Sequence, residues 1–512
     1  MAVPQVAVIG GGIAGLVAAL ELRQRGFGVT LLERAMSVGG KLRQLGVHGV
    51  PIDVGPTVFT LRPLFEQIFA AAGSRLEAHL RLRPLEILAR HAWIEGGELD
   101  LYADIGRSAD AIGRFSGARD AEGYRRFCAD ARRVFSTLEH GFLYRPQPSL
   151  SALLGAAGVG GLARLWQLRP FTTLWSALGD YFQDPRLRQL FARYATYCGS
   201  SPFDAPATLM LVAHVEQRGV WQLEGGMRAL AEALLGLLRA CEVNVRTGCT
   251  VRAIRVARGR VARLELAEGE ELPIDAVIVT SDASALAAGF YGPEVTSCVS
   301  PVPRASRSLS ALTWAMHAPT RGFALSHHNV FFSADYRAEF EALRSQLMPS
   351  APTVYLCAQD RSEAGTPAPT GAERLFCLIN APAIGDLHQF GHEEIRKCLA
   401  TTLSMLRGCG LELMPCPCEP VATTPTEFHQ LFPGSGGALY GQATHGWRSS
   451  FTRPGARTSI PGLYLAGGSA HPGPGLPMAA LSARHAAACL NQDLVSNGRL
   501  RPAATPGGIS MR

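Results

Sequence analysis

Three glycines and an acid, Gly10, Gly12, Gly15 and Glu33, have the types and spacing to hold a dinucleotide. The first glycine permits a tight strand-to-helix turn. The second lets a pyrophosphate reach the backbone, and the third lets helix and strand pack closely. A helix starting there aims free N–H groups and the positive end of its dipole at phosphate. A carboxylate about twenty residues on can accept hydrogen bonds from a ribose hydroxyl. The elements that must position these groups are legible around them. Val6-Ala7-Val8-Ile9 reads as a strand, and Leu16 to Arg25 as a helix stopped by Gly26. Val29 to Leu32 reads as a second strand ending at Glu33. The string Gly10-Gly11-Gly12-Ile13-Ala14-Gly15 thus occupies the strand-to-helix turn, and Ala14 counts among its cofactor contacts.

Arg34 and Gly39-Gly40-Lys41 follow directly. Two glycines permit a second close backbone approach, and the cations offset pyrophosphate charge. Leu42 follows Gly40-Lys41, so the magnesium-binding hydroxyl of a P-loop is missing. The pattern resembles the R-x4-G-G-R/K extension of FAD-dependent amine oxidases and carotenoid desaturases, with Lys41 as a point charge where Arg is common. That resemblance selects FAD over NAD. A matching signal stands near the other end of the chain. Gly462-Leu463-Tyr464-Leu465-Ala466-Gly467-Gly468 reads as a buried strand ending in glycines. His471-Pro472-Gly473-Pro474-Gly475-Leu476-Pro477-Met478 then opens a helix running to about Leu490. Pro477 suits a first helical turn, and that helix end can stabilise negative charge building on a reduced flavin. Two cofactor segments so far apart imply a discontinuous FAD domain.

The 512 residues, 47% of them hydrophobic, can bury a large core and more than one domain. The net charge of +7 is carried almost wholly by arginine, because Lys41 and Lys397 are the only lysines. This mild balance suits anionic lipid headgroups. Without a dense basic stripe it gives no basis for a nucleic-acid partner. The 12 cysteines include no C-x-x-C pair. Cys416 and Cys418 stand among prolines with no His-rich partner, so reduced cytosolic thiols are expected rather than zinc. Neither a signal peptide nor a transmembrane helix is expected, for want of a long apolar run.

Strand-like runs occupy about 76–105, and helical periodicity dominates 120–215, where Tyr124, Phe127, Ala131, Val134, Phe135 and Leu138 recur at helical steps. The expected fold class is α/β. It comprises a discontinuous Rossmann-type FAD-binding domain (1–75, 216–294 and 441–512), a mixed-sheet substrate domain (76–119 and 295–440) and a helical subdomain (120–215). Leu150 to Phe182 carries Trp166, Phe171, Trp175 and Tyr181 beside Arg164 and Arg169. It reads equally as a helix lying in a membrane interface or as a buried helix pair.

Over essentially its full length the chain resembles carotenoid desaturases of the bacterial phytoene-desaturase family, and within it the 1-hydroxycarotenoid 3,4-desaturase branch. The finer likeness rests on Asp184-Pro185-Arg186-Leu187, Arg193-Tyr194-Ala195-Thr196-Tyr197, His327-His328-Asn329-Val330-Phe331-Phe332, Tyr355-Leu356-Cys357-Ala358-Gln359-Asp360-Arg361, Phe432-Pro433-Gly434-Ser435 and the His471–Met478 string. Gly468 stands where amine oxidases often have an acid for the ribityl chain, which counts against a plain amine oxidase. The resemblance implies non-covalent FAD and a C3–C4 double bond formed in an acyclic 1-hydroxycarotenoid. The substrate would be of the 1-hydroxyneurosporene or 1-hydroxylycopene type, on the route to spheroidene or spirilloxanthin in photosynthetic bacteria. It also implies that the turn Gly55-Pro56-Thr57 lies beside the flavin and Val251 near the adenine. The alternatives are a phytoene desaturase, a carotenoid isomerase and, from another class, a non-enzymatic isoprenoid-binding chaperone. Intact Gly39-Gly40-Lys41 and Gly467-Gly468 argue against the last.

Removing two hydrogens from an unactivated polyene end offers a catalyst little that is polar. A hydride passes to flavin N5 and a proton leaves, while the protein supplies orientation and excludes water. Neither a catalytic triad nor a metal site is expected. An apolar tunnel is required, with Trp221, Phe203, Trp314, Phe331 and Phe332 as candidate walls. The hydroxyl is the substrate's one polar handle. His327, His328, Asn329 or Thr57 could bond it and reject an analogue that lacks it. The expected location is cytoplasmic, peripherally on the inner or photosynthetic membrane, with oxygen or a quinone as electron acceptor.

Overall fold

The computed structural model describes residues 3–147, 168–169, 171–361, 369–414 and 419–496. Arg164, Trp166, Cys416 and Cys418 lie outside the described residues, as does 150–167 of the aromatic segment.

Five parallel strands form the first sheet, in the order Leu463–Leu465, Ala276–Val279, Gln5–Ile9, Gly28–Leu32, Asn244–Arg246. Their Val, Ile and Leu runs suit a sheet covered on both faces, and Ala276–Val279 is buried throughout. Ile9 is level with both Leu32 and Val279, and Val279 with Leu465, so four strands end together. The strand order reverses at Gln5–Ile9. In open α/β sheets the crevice outside the carboxyl ends at such a point is where ligands bind. The helix Ile13–Gln24 follows, buried from Ile13 to Leu22. It packs against the long helix Leu476–Ser496. Gly26, at φ +84°, turns the chain into the next strand.

A seven-stranded sheet forms the second layer. Its order is Val421–Thr423, Ser310–Ala318, Glu373–Ala381, Val354–Ala358, His328–Phe332, Ile87–Trp93, Glu98–Tyr102. The pair His328–Phe332 and Ile87–Trp93 is parallel, and its other neighbours are antiparallel. The hairpin between Ile87–Trp93 and Glu98–Tyr102 turns on Gly96 and Gly97, both at positive φ. A three-stranded antiparallel meander, Val251–Ala257, Arg260–Leu266 and Glu271–Pro273, adjoins the cofactor side.

The helix Ala118–Leu138 buries the apolar set that its periodicity predicts, from Tyr124 to Leu138. Phe127 meets Phe191 at 4.9 Å between ring centroids and Phe182 at 5.7 Å. In the described part of the aromatic segment, Thr173 caps the helix Leu174–Leu178. Trp175 packs on Phe203 at 4.8 Å, so this tryptophan belongs to the core side and not to a lipid-facing stripe. No helix among the described residues is long and apolar enough to cross a membrane. The expected α/β class holds.

Candidate functional site

A cavity of about 920 Å³ runs from the carboxyl ends of the parallel strands into the helical layer. Of the residues expected to hold the cofactor, all line this cavity but Gly15. Gly12 precedes the first helix with φ −71° and no side-chain cap, so helix-end N–H groups are left for a ligand. A Cβ on Gly12 would find Gly40 Cα at 3.9 Å as its nearest neighbour, which leaves an open cradle over the backbone. Gly39 N donates to Gly11 O at 2.8 Å and ties the second glycine pair to the first. Gly15 serves packing instead, since a Cβ there would collide with Gly10 O.

Glu33, 8% exposed, ends its strand with both oxygens held. Gly11 N donates to one at 2.5 Å and Ala35 N to the other at 2.8 Å. Lys41 donates to Leu439 O, and its ammonium lies 5.2 Å from the Phe432 ring centre. Burial lowers its pKa, against which the charge of Asp282 acts. Arg34 donates to Gln430 O at 2.6 Å and to Leu431 O, which anchors it to a loop. At the distal segment, Arg453 donates to Tyr440 O at 3.0 Å and to Gly468 O at 3.3 Å. The helix Leu476–Ser496 starts at the cavity wall with Leu476, Pro477 and Met478. An open glycine cradle, an uncapped helix end and a buried acid beyond it fit a bound dinucleotide.

On the substrate side the expectation needs correction. Trp221, Trp314, His327, Asn329 and Phe331 do not line the cavity. Trp314 and Phe331 are fully buried in the sheet core, Phe331 edge-on to Phe323 at 5.0 Å. Asn329 donates to Ser326 O and Leu356 O and accepts from Ser326 N, so its amide is satisfied locally. His327 Nδ1 faces Arg361 O at 2.9 Å and Gln222 Nε2 at 3.2 Å. Trp221 sits over Gly219, its backbone paired with Phe59. Phe332 stacks on Trp93 at 5.4 Å, and Phe203 packs on Trp175. For Trp314, Asn329, Phe331 and Phe332 the physical reason is that their strands are buried on both faces; Trp221 instead lies on a short two-stranded ribbon and Phe203 in a turn.

Of the hydroxyl candidates, Thr57 lines the cavity. Its Oγ1 lies 2.6 Å from Tyr355 OH, and His328 Nδ1 lies 2.8 Å from the same oxygen, one step behind the wall. His327, His328 and Cys357 bring potential metal donors within 4.8 Å of one another, which the sequence did not foretell. Burial pushes the Cys357 thiol up to about 12.

Sequence reasoning missed several wall residues. Arg193, Tyr197, Glu216 and Tyr355 form a polar patch beside Thr57. Glu216 accepts from Tyr194 OH at 2.9 Å and Tyr197 OH at 2.8 Å, and burial raises its carboxyl pKa. Beyond the patch the wall turns apolar, with Phe135, Leu138, Leu209, Val212 and Val215, and reaches Trp447 and Phe171. A signal existed for the patch: Arg193 and Tyr197 stand four apart in a stretch with no acid between them.

Residues 13–491 match the family of flavin containing amine oxidoreductases. The chain is 51% identical to a hydroxyneurosporene desaturase of Rubrivivax gelatinosus, over 99% of this chain and 97% of the relative. It is 43% identical to a hydroxyneurosporene desaturase of Cereibacter sphaeroides, over 97% and 99% respectively. Among solved structures, an oxidoreductase from Methanosarcina mazei superposes with a TM-score of 0.59 at 15% identity. It covers 94% of this chain and 98% of its own, a likeness of fold alone. The cofactor of the family is FAD, which the cradle described above fits. The chain therefore belongs to the flavin containing amine oxidoreductases and, within them, to the carotenoid desaturases.

Proposed function

We propose that the chain forms the C3–C4 double bond of an acyclic 1-hydroxycarotenoid of the 1-hydroxyneurosporene or 1-hydroxylycopene type. The observation that carries this reading is one cavity that joins a dinucleotide cradle to an apolar limb through a small polar patch. The likeness to relatives named hydroxyneurosporene desaturases supports it.

Gly10, Gly12 and Ala14 would hold the FAD pyrophosphate, Glu33 a ribose and Val251 the adenine. Gly39-Gly40-Lys41, Gly55-Pro56-Thr57, Gly467-Gly468 and Leu476-Pro477-Met478 would hold the remainder. FAD, when bound, accepts the hydride, and the proton released with it completes removal of two hydrogens from the substrate. The apolar limb aligns the polyene and keeps water from the reacting carbons. The division into a discontinuous FAD unit, a mixed-sheet unit and a helical unit belongs to the same proposal. The makeup of the two large sheets supports it.

A membrane surface supplies the substrate. The apolar limb ends at Phe171, which is 69% exposed and 5.8 Å from Trp447, with the Arg448 guanidinium 5.3 Å from the Trp447 ring. Aromatic rings beside an arginine suit the headgroup level of a bilayer.

The test compares initial rates in liposomes on 1-hydroxyneurosporene, its non-hydroxylated parent and phytoene, with oxygen or a quinone supplied. The hydroxylated substrate should be favoured about ten- to hundredfold. Equal rates on the first two, or efficient use of phytoene, would replace this reading with a phytoene-type desaturase.

A further inference from the structure

Among the described residues five charged donors line the cavity: Arg34, Lys41, Arg43, Arg193 and Arg453. Four of them are engaged by protein oxygens. Arg34 donates to Gln430 O and Leu431 O, and Lys41 to Leu439 O. Arg43 donates to Thr423 Oγ1 at 2.8 Å. Arg453 donates to Tyr440 O, Gln442 O and Gly468 O. Arg193 differs. Its guanidinium lies 5.1 Å from the Tyr355 ring centre and 5.5 Å from that of Tyr197. Tyr197 is also within hydrogen-bond reach of it, and the carboxylates of Glu216 and Glu339 act on its charge from further off. The nearest wall acid, Glu216, is already bonded by Tyr194 and Tyr197. Among the described residues the guanidinium has no ion pair within 4 Å, and its tyrosine contacts leave most of its N–H donors for a ligand.

Position narrows what it could meet. In a 1-hydroxycarotenoid the oxygen is only a few bonds from C3 and C4, so its partner must stand beside the reacting carbons. Thr57 marks that place on the reading above, and Tyr355 bonds Thr57 while its ring carries Arg193. The other polar groups there already have partners: Tyr355 OH is shared by Thr57 and His328, and Tyr197 OH bonds Glu216. Arginine has donors and no acceptor, which suits the lone pairs of a lone oxygen in an apolar chain.

We infer that Arg193 is the specificity-determining residue that donates a hydrogen bond to the C1 oxygen of the carotenoid and so sets which carbons face the cofactor; this rests on the 1-hydroxycarotenoid reading. Its rigid plane lies over the Tyr355 and Tyr197 rings, and the wall carboxylate Glu216 is taken up by Tyr194 and Tyr197 rather than by the guanidinium.

The test is a binding cycle on the anaerobic, FAD-loaded protein, read by quenching of tryptophan fluorescence. The probes are 1-hydroxyneurosporene and 1,2-dihydroneurosporene, which lacks only the hydroxyl. The unmodified protein should bind the first about ten- to hundredfold tighter. Arg193→Leu should bind both alike, by losing affinity for the hydroxylated probe alone. Arg193→Lys, which keeps a donor, should retain part of the preference. Flavin content and thermal unfolding check the fold, and Arg193→Gln takes the place of the leucine variant if that one fails to fold. A preference that survives at its full ratio in Arg193→Leu or Arg193→Gln overturns the inference and leaves the substrate reading standing. No preference in the unmodified protein overturns both.

Discussion

Replacing Gly12 by alanine should separate cofactor binding from folding. Gly12 has φ −71° and ψ −179°, an extended conformation open to any residue. A Cβ there would meet nothing closer than Gly40 Cα at 3.9 Å, ordinary contact distance. The apoprotein therefore has no steric reason to lose stability. Removing a glycine's freedom from the unfolded chain should instead stabilise it by about 0.4–1 kcal/mol. The methyl would occupy the cradle where the pyrophosphate must approach. Overpacking of that kind costs about 1–3 kcal/mol, which weakens FAD binding roughly 5- to 150-fold. Valine, larger and branched, should abolish binding. Gly15→Ala is the contrasting variant. Its Cβ would run into the backbone at Gly10 O, so the apoprotein itself should be destabilised by about 1–3 kcal/mol or more.

The assay takes apoprotein stripped of flavin, measures its thermal unfolding, and titrates it with FAD by fluorescence quenching. Gly12→Ala should unfold at or slightly above the unmodified temperature and bind FAD weakly. Gly15→Ala should unfold earlier. A Gly12→Ala protein that binds FAD with full affinity would refute the cradle. One that unfolds much earlier would refute the reasoning from its backbone.

Glu33→Ala should lower FAD affinity by about 1.5–3 kcal/mol through loss of a charge-assisted bond. It should also destabilise the apoprotein, because Gly11 N and Ala35 N lose their acceptor; unchanged FAD titration would remove Glu33 from the ribose role. Phe171→Ser with Trp447→Ser should shift protein from a liposome pellet to the supernatant at unchanged flavin content, and an unaltered partition would move the membrane contact elsewhere. Burial raises the folded pKa of Glu216. The folded state then keeps that proton where the unfolded state has released it, so stability should fall as pH rises from the ordinary carboxyl range, about 4.3, through the raised value. Glu216→Gln should flatten that fall in a series of thermal melts; an identical slope in the variant would assign it to another group.

The cofactor half of the site was legible because its signals are local. Gly10 to Gly15, Glu33, Gly39 to Lys41 and Gly467 to Met478 each combine a turn, a strand end and a helix start within a few residues, and chain geometry decides where they face. The substrate half was not legible for the opposite reason. His328–Phe332 is buried at every position, so alternation gives no hint of which face meets the cavity. Asn329 and Phe331 went to the core and His328 to the rear of Tyr355, although all stand in one short strand. The part of the aromatic segment carrying Trp175 shows a similar ambiguity: spacing and composition suit lipid, yet its ring meets Phe203 and Tyr336.

The cavity's order of surfaces bears on where a double bond would form. Apolar contact is non-directional and nearly proportional to area, so a uniform apolar tube would let a polyene slide along its length with little change in energy. A polar group at one point ends that freedom, because each displacement leaves a donor unbonded in a dry site. Here the polar patch of Arg193, Tyr197 and Tyr355 adjoins the cradle at Thr57, while the limb beyond it carries Leu138, Leu209, Val212 and Val215. On the proposed reading, the hydroxylated end anchors at the patch, the neighbouring carbons lie at the cofactor, and the remaining polyene runs outward toward Phe171 and the lipid. Regioselectivity then needs no feature along the limb. On that reading it follows from where the donor stands beside Thr57, so shifting that donor should move the site of reaction, whereas changing limb residues should alter affinity alone.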